Sequence, residues 1–498
     1  MKCKRIAALL LAVLLAALSA APALCVEPNR SFTYDEENRA VPSPNAFQVQ
    51  QVIYGKDMPC GPFLSAQDMA TDGEGNIFVL DSGNNRIVFL DAEYRYIREL
   101  TEFSYNGETV TLNANAEGLF CREQEQLLYI ADTAGNRIIV TDYDGNVTRI
   151  YEKPVSSLLD PELPFAPKKL VVDNTGMLYV LTKNVNTGAL LINEEGTFLG
   201  FYGTNEVRET LSVRIERMWR SIMTEAQRQQ STESFQPVEF NNLFWSKDRF
   251  IYAVSQQNEY LETEVSKLNA LGENILEPKA YGEMTRREDL PVSFSDIVVD
   301  DEGFFTIVDR NNGMVYQYDE SGNLLAVSGG LGQQEGLFTS PSAIGTNERG
   351  EIFVLDAKKN CLVVFEPTLY GEMIRTAITL FNEGLYVESI EPWKEVLRMN
   401  FNFTQAYVGL GKAEMMLGNY AAAMDYFQKG YDQENYSLAK ASYRDELIKN
   451  HFGAVLGVIA ALILVIFFWE PLVKLGRLIA AKLKRSGIAH RRSKGGAA

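Results

Sequence analysis

The chain has 498 residues, 47 Lys and Arg against 65 Asp and Glu, and a formal net charge of −18 with only two histidines. This balance excludes the basic face that nucleic-acid binding needs, so no nucleic-acid partner is expected. Histidines only at His451 and His490 exclude histidine-based catalysis or metal ligation in everything that precedes them.

The chain opens with Lys2, Lys4 and Arg5, an apolar run from Ile6 to Leu18, and then small residues. That order predicts a secretory signal peptide over 1–25, with an uncleaved anchor as the alternative. Beyond it stand Cys60, Cys121 and Cys361, odd in number and far apart. They match neither a disulfide framework nor a metal knuckle, and buried, unreactive thiols are expected.

Next, "DSGNNRIVFLD" from Asp81 recurs one unit later as "DTAGNRIIVTD" from Asp132. A strand-like segment ends at Asp81, Asp132, Thr182, Ser255, Asp309 and Asp356. Each has a short apolar stretch and a turn signal before it, as in "AQDMATD", "KKLVVDN" and "FSDIVVDD", and a third and fourth strand after it in most copies. Four short antiparallel strands in six copies predict an all-β six-bladed propeller over 46–366. Asp81, Asp132, Asp309 and Asp356 are read as blade-building residues that close the second strand and cap loop amides. Gly and Asn supply positive-φ turn positions, and Arg86 and Arg137 open the third strand within reach of an acid.

"AFQVQQVIYG", Ala46–Gly55, looks like the outer strand "NLLAVSGG" of the fifth copy. It is expected to supply the fourth strand of the sixth blade and so remove two open edges. A helical insertion is expected over 206–231, where Val207, Leu211, Ile215, Met218 and Ile222 form a stripe beside Trp219. It would pack on its own domain or face a partner.

After Pro367 the period becomes helical. Gly384, Tyr386, Ser389, Trp393 and Val396 recur as Gly418, Tyr420, Ala423, Phe427 and Gly430, predicting an all-α helical hairpin module over 368–450. Then comes an uncharged run, Phe452–Trp469, long enough for one transmembrane helix, assigned to 452–473. The tail 474–498 holds eight basic residues and no acid, so it is expected on the cytoplasmic side, with the preceding domains extracytoplasmic. Leu475, Leu478, Ile479 and Leu483 share a face there, as in a short helix against headgroups or a set of snorkelling anchors.

The first two copies resemble NHL repeats, and that resemblance covers Phe47–Glu366. The helical recurrence, at the period of about 34 residues, resembles tetratricopeptide repeats. By resemblance, the concave face of the better helical repeat falls at Gln405, Val408, Lys412, Met415 and Met416, with core packing as the alternative. Both families imply a binding scaffold for proteins or glycans. Bacterial proteins of this architecture resemble accessory components of envelope transport systems, which implies envelope or membrane proteins, transporter components among them, as partners and no cofactor. The alternative is a lactonase-like propeller hydrolase holding calcium at its opening through Asp, Asn and Glu oxygens.

Overall fold

The computed structural model describes residues 31–34, 39–203, 239–257, 261, 263–282 and 291–493, with side chains as far as Leu483. The expected signal peptide 1–25, the insertion 206–231 and the last five residues of the tail lie outside the described residues. The chain divides into two compact units, one ending at Ala406 and one beginning at Tyr407.

The first unit is a six-bladed antiparallel β-propeller followed by a helical hairpin. Blade 1 is Asp68–Thr71, Ile77–Asp81, Arg86–Leu90 and Tyr96–Leu100; blade 2 is Gly118–Arg122, Leu127–Asp132, Arg137–Asp142 and Val147–Tyr151. Blade 3 is Pro167–Val172, Leu178–Thr182, Ala189–Ile192 and Phe198–Tyr202. Blade 5 is Phe294–Val299, Phe305–Asp309, Met314–Tyr318 and Leu324–Gly329.

Blade 4 departs from the expected pattern, with Phe240–Trp245, Ile251–Ser255 and Val265–Leu268 but no regular fourth strand among the described residues. After Leu268 the chain turns back at once. Leu268 bridges Asn274, and the Ile275 amide donates to the Lys267 carbonyl at 2.8 Å, so an irregular segment covers that edge instead.

Blade 6 joins Pro341–Thr346, Ile352–Asp356 and Cys361–Pro367 to Phe47–Tyr54 from the other end of the propeller. The register runs antiparallel from Cys361 opposite Tyr54 to Pro367 opposite Phe47. The amino-terminal strand therefore closes the ring. Apolar residues fill the spaces between neighbouring blades, as where Ile138 and Val140 of blade 2 meet Leu170 and Val172 of blade 3. Side chains also cross between inner strands: Asn241 donates to the Phe294 carbonyl at 2.7 Å, Ser295 to Pro341 at 3.2 Å and Ser342 to Ala66 at 2.9 Å.

Helices α1 (Leu369–Asn382) and α2 (Tyr386–Met399) form the first hairpin. Thr368 caps α1 by accepting from the Gly371 amide, while its own hydroxyl donates to the Asn45 carbonyl at 2.6 Å. A Cβ at Gly371 would stand 2.3 Å from the Ala46 carbonyl, so only glycine lets α1 lie against the lead-in to the closing strand.

The second unit takes most of α3 (Thr404–Met416), then α4 (Tyr420–Lys429) and α5 (Gln433–Ser493). Ala423, Phe427 and Ala439 form its buried centre, and a Cβ at Gly411 would meet the Phe427 ring at 2.6 Å. The 61-residue α5 runs unbroken from that centre through the apolar stretch, which is exposed along its whole length. It is long and apolar enough to cross a membrane.

Deleting Ala46–Tyr54 removes a strand and opens two blade edges. The detergent-solubilised variant should aggregate or lose its cooperative melt, read by scanning calorimetry and light scattering; a melt like the parent's would mean the strand does not hold the ring.

Candidate functional site on the propeller axis

Each inner strand brings one residue to the same register, opposite the residue just before the one that closes the second strand. These are Asp68, Gly118, Lys169, Asn242, Asp296 and Ala343, opposite Leu80, Ala131, Leu181, Val254, Val308 and Leu355. In blades 3 to 6 the ladder slips just before this residue, at Pro167, Phe240, Phe294 and Pro341. Such a bulge re-aims a side chain.

Four of the six are polar and buried. The Lys169 ammonium lies 2.7 Å from Asp68 Oδ1, and Asp68 Oδ2 accepts from the Leu119 amide at 2.7 Å. Asp296 Oδ1 accepts from Asn242 Nδ2 at 2.5 Å and from its neighbour Ile297 N at 2.7 Å, while Oδ2 accepts from Ile344 N at 2.8 Å. Blades 1 and 2 and blades 4, 5 and 6 are thus tied by charge-assisted hydrogen bonds, and blades 1 and 3 by an ion pair. Burial pushes the Asp68 carboxyl up, against the pull of Lys169. Burial likewise pushes Asp296 up to about 7, with Lys169 pulling down and Asp68 pushing up.

This cluster floors a cavity of about 830 Å³. Its rim is made by the turns joining first and second strands, where Glu74, Glu123, Asp301 and Glu348 outnumber Lys247 and Arg349. One rim position is already taken. Arg375 of α1 sets its guanidinium 2.6 Å from Asp300 and 2.5 Å from Glu302, over the Phe304 ring at 4.4 Å.

The blade-motif residues lie at the opposite ends of the second strands, away from this cavity. Asp81 accepts from the Leu64 amide and from Asn84 and Arg86 Nε at 2.7–2.8 Å, and Arg86 reaches Glu99 at 2.7 Å. Asp132 repeats this with the Asn113 amide and Arg137 Nε. Asp309 and Asp356 have Met314 and Cys361 where the arginine would stand, and take backbone amides instead, from Ser293 and Asn311 and from Thr339, Lys358 and Lys359. The positive φ falls on Asn85 and Asn136. Gly83 and Gly135 serve another need: a Cβ there would strike Leu64 O at 2.4 Å and Asp132 Oδ2 at 2.3 Å. The thiols of Cys121 and Cys361 are pushed up by burial to about 12 and 11.

The predicted helical face is divided. Val408 and Met415 pack against Ala423, Phe427 and Ala439, whereas Met416 is exposed and Gln405 and Lys412 are half-buried. The axial set escaped the sequence reading. Its signal was a charge inside a short apolar inner strand, in "AQDMATD", "KKLVVDN" and "FSDIVVDD".

Calcium asks for six to eight oxygens. The axial register offers three oxygen-bearing side chains, whose carboxylate oxygens already face amide donors or the Lys169 ammonium. The residues do not fit that ion.

No protein-family model matches the chain, and no curated protein matches it. Solved structures do. A streptogramin B lyase is 13% identical, with 68% of this chain and 87% of that chain covered and a TM-score of 0.35. Virginiamycin B lyase from Staphylococcus aureus is 10% identical over 65% of this chain and 100% of that chain, with a TM-score of 0.41. A Bacteroides thetaiotaomicron protein of unknown function is 14% identical over 68% and 76%, also with a TM-score of 0.41. None of these likenesses bears on activity or ligand.

Because folding raises the Asp296 pKa, its contribution to stability is complete below the ordinary carboxylate range and is lost as pH rises through about 7. Asp68 acts with the same sign. The wild type should therefore lose melting temperature relative to Asp296→Asn between about pH 5 and pH 8. A gap between the two that stays constant across that range would show that Asp296 does not titrate there.

Proposed function

We propose that this protein is a membrane-anchored extracytoplasmic scaffold, with blades of the NHL type and helix pairs of the tetratricopeptide type. Its partners are envelope or membrane proteins, transporter components among them, with glycans as the alternative ligand. The observation that carries this reading is the Arg375 contact. Two ion pairs, with side chains only 14% and 11% exposed at Arg375 and Asp300, set α1 on the rim of the axial cavity. The helical hairpin is thereby fixed beside the propeller rim within the first unit, an arrangement that suits recognition of a large partner better than turnover of a small substrate.

The axial carboxylates have a structural use of their own: Asp68 and Asp296 accept from amides of neighbouring blades and so help tie the ring together. The calcium-dependent lactonase reading lacks a fitting ligand set. Anchoring is assigned to α5, with the basic residues from Lys474 onward inside, because Lys and Arg accumulate on the cytoplasmic face.

Crosslinking in intact membranes, followed by capture of the full chain and mass spectrometry, should recover the same envelope proteins repeatedly. Arg375→Ala should reduce that recovery severalfold while leaving the propeller folded. Saturable hydrolysis of sugar lactones, with no reproducible partner, would reverse the assignment. For topology, protease added to intact protoplasts should digest the region from Val26 to His451 and spare a tag after Lys474. Loss of the tag with survival of the propeller would invert the orientation.

A further inference from the structure

Two buried carboxylates share the propeller axis, and a lysine from a third blade answers them. Lys169 belongs to blade 3 and Asp68 to blade 1, so the side chain must pass blade 2. Blade 2 carries Gly118 at the axial register, which lets the backbone of blade 3 come close. A Cβ there would stand 2.5 Å from the Lys168 carbonyl and 3.1 Å from Lys169 Cα. Any larger residue would push blade 3 away from the axis.

The ammonium is nine-tenths buried, and its described contact is the 2.7 Å pair with Asp68. Blade 6 contributes only Ala343 to the same register, and another cation whose charge acts on Asp296, Arg310, turns its Nε to the Pro341 carbonyl at 3.4 Å. We infer that the Lys169 ammonium is the propeller's own axial counter-ion, a tethered cation that holds blades 1 and 3 together and makes a bound metal unnecessary.

The consequence for binding is direct. A ligand entering the cavity meets a floor of Asp68, Asn242 and Asp296, with Asp68 already paired to Lys169. The ring's stability then needs no divalent ion at the axial register.

The test uses the full chain in detergent. Wild-type melts in EDTA and in millimolar calcium should coincide, because an ion that bound only the folded state would raise the midpoint as its concentration rose. Lys169→Met keeps the length of the stem and removes the charge. It should lower the midpoint at pH 7.5 by about 5 °C or more, as loss of one partner of a buried pair does.

Adding Asp68→Asn to Lys169→Met should recover at least half of that loss, since the stranded carboxylate is then gone. A wild-type midpoint that climbs with calcium would overturn the inference. So would a double variant no more stable than Lys169→Met, or one that fails to fold as the single variant does, because lysine would then act through packing and not charge.

Discussion

Seven cross-strand pairs between Cys361–Pro367 and Phe47–Tyr54 hold the two ends of the propeller together, and every other feature of the first unit depends on them. A blade buries its apolar faces only against its neighbours, so a ring with one open seam would expose two faces at once. The seam has further stitches. Glu351 of blade 6 accepts from Gln50 on the closing strand at 2.9 Å and from the Tyr94 hydroxyl of blade 1 at 2.7 Å, with Asn347 and Arg349 on the same carboxylate. The lead-in to the closing strand also seats α1, through Asn45, Ala46 and Gly371. One stretch of chain therefore fixes both the ring and the hairpin on its rim.

The recurring aspartates belong to the same economy of backbone groups. A loop that enters an inner strand has amides with no ladder partner, and a buried unpaired amide is costly. Asp81, Asp132, Asp309 and Asp356 each reach back to those amides. Where an arginine follows, it holds the second oxygen of the carboxylate; where none does, amides or an asparagine side chain take its place. The motif varies because the requirement is for donors to a buried carboxylate, which several residue types can meet.

That locality explains what could be read in the sequence. The blade motif and the helical recurrence each involve neighbours within one or two elements, so composition and spacing carried them. The closing strand pairs across the whole ring and was legible because its own sequence resembles an outer strand and the sixth blade lacked one. Gly411 against Phe427 follows the same rule, since two adjacent helices set the contact. The axial set does not, because Asp68, Lys169 and Asp296 lie on three different blades and only ring geometry brings them together. Their charges stood in plain sight within apolar strands, but spacing alone says nothing of what lies across an axis. The helical face is divided for a related reason. Val408 and Met415 turn toward Phe427 by the phase of α3 against α4, which a resemblance to a repeat does not specify.

At the axis a repeating fold stops repeating. Six equivalent positions hold Asp, Gly, Lys, Asn, Asp and Ala, with charges on blades 1, 3 and 5 and neutral residues on blades 2, 4 and 6. The alternation has a physical use. Ala343 puts a neutral position between Asp296 and Asp68, and Gly118 lets blade 3 come close to blade 2, so opposite charges meet in the Asp68–Lys169 pair. A ring of six identical charged residues would bring like charges together at close range in a low-dielectric interior, which no counter-ion of this size could balance. Sequence asymmetry at a symmetric position is thus what lets this propeller bury charge, and it gives the cavity above a floor whose two halves differ.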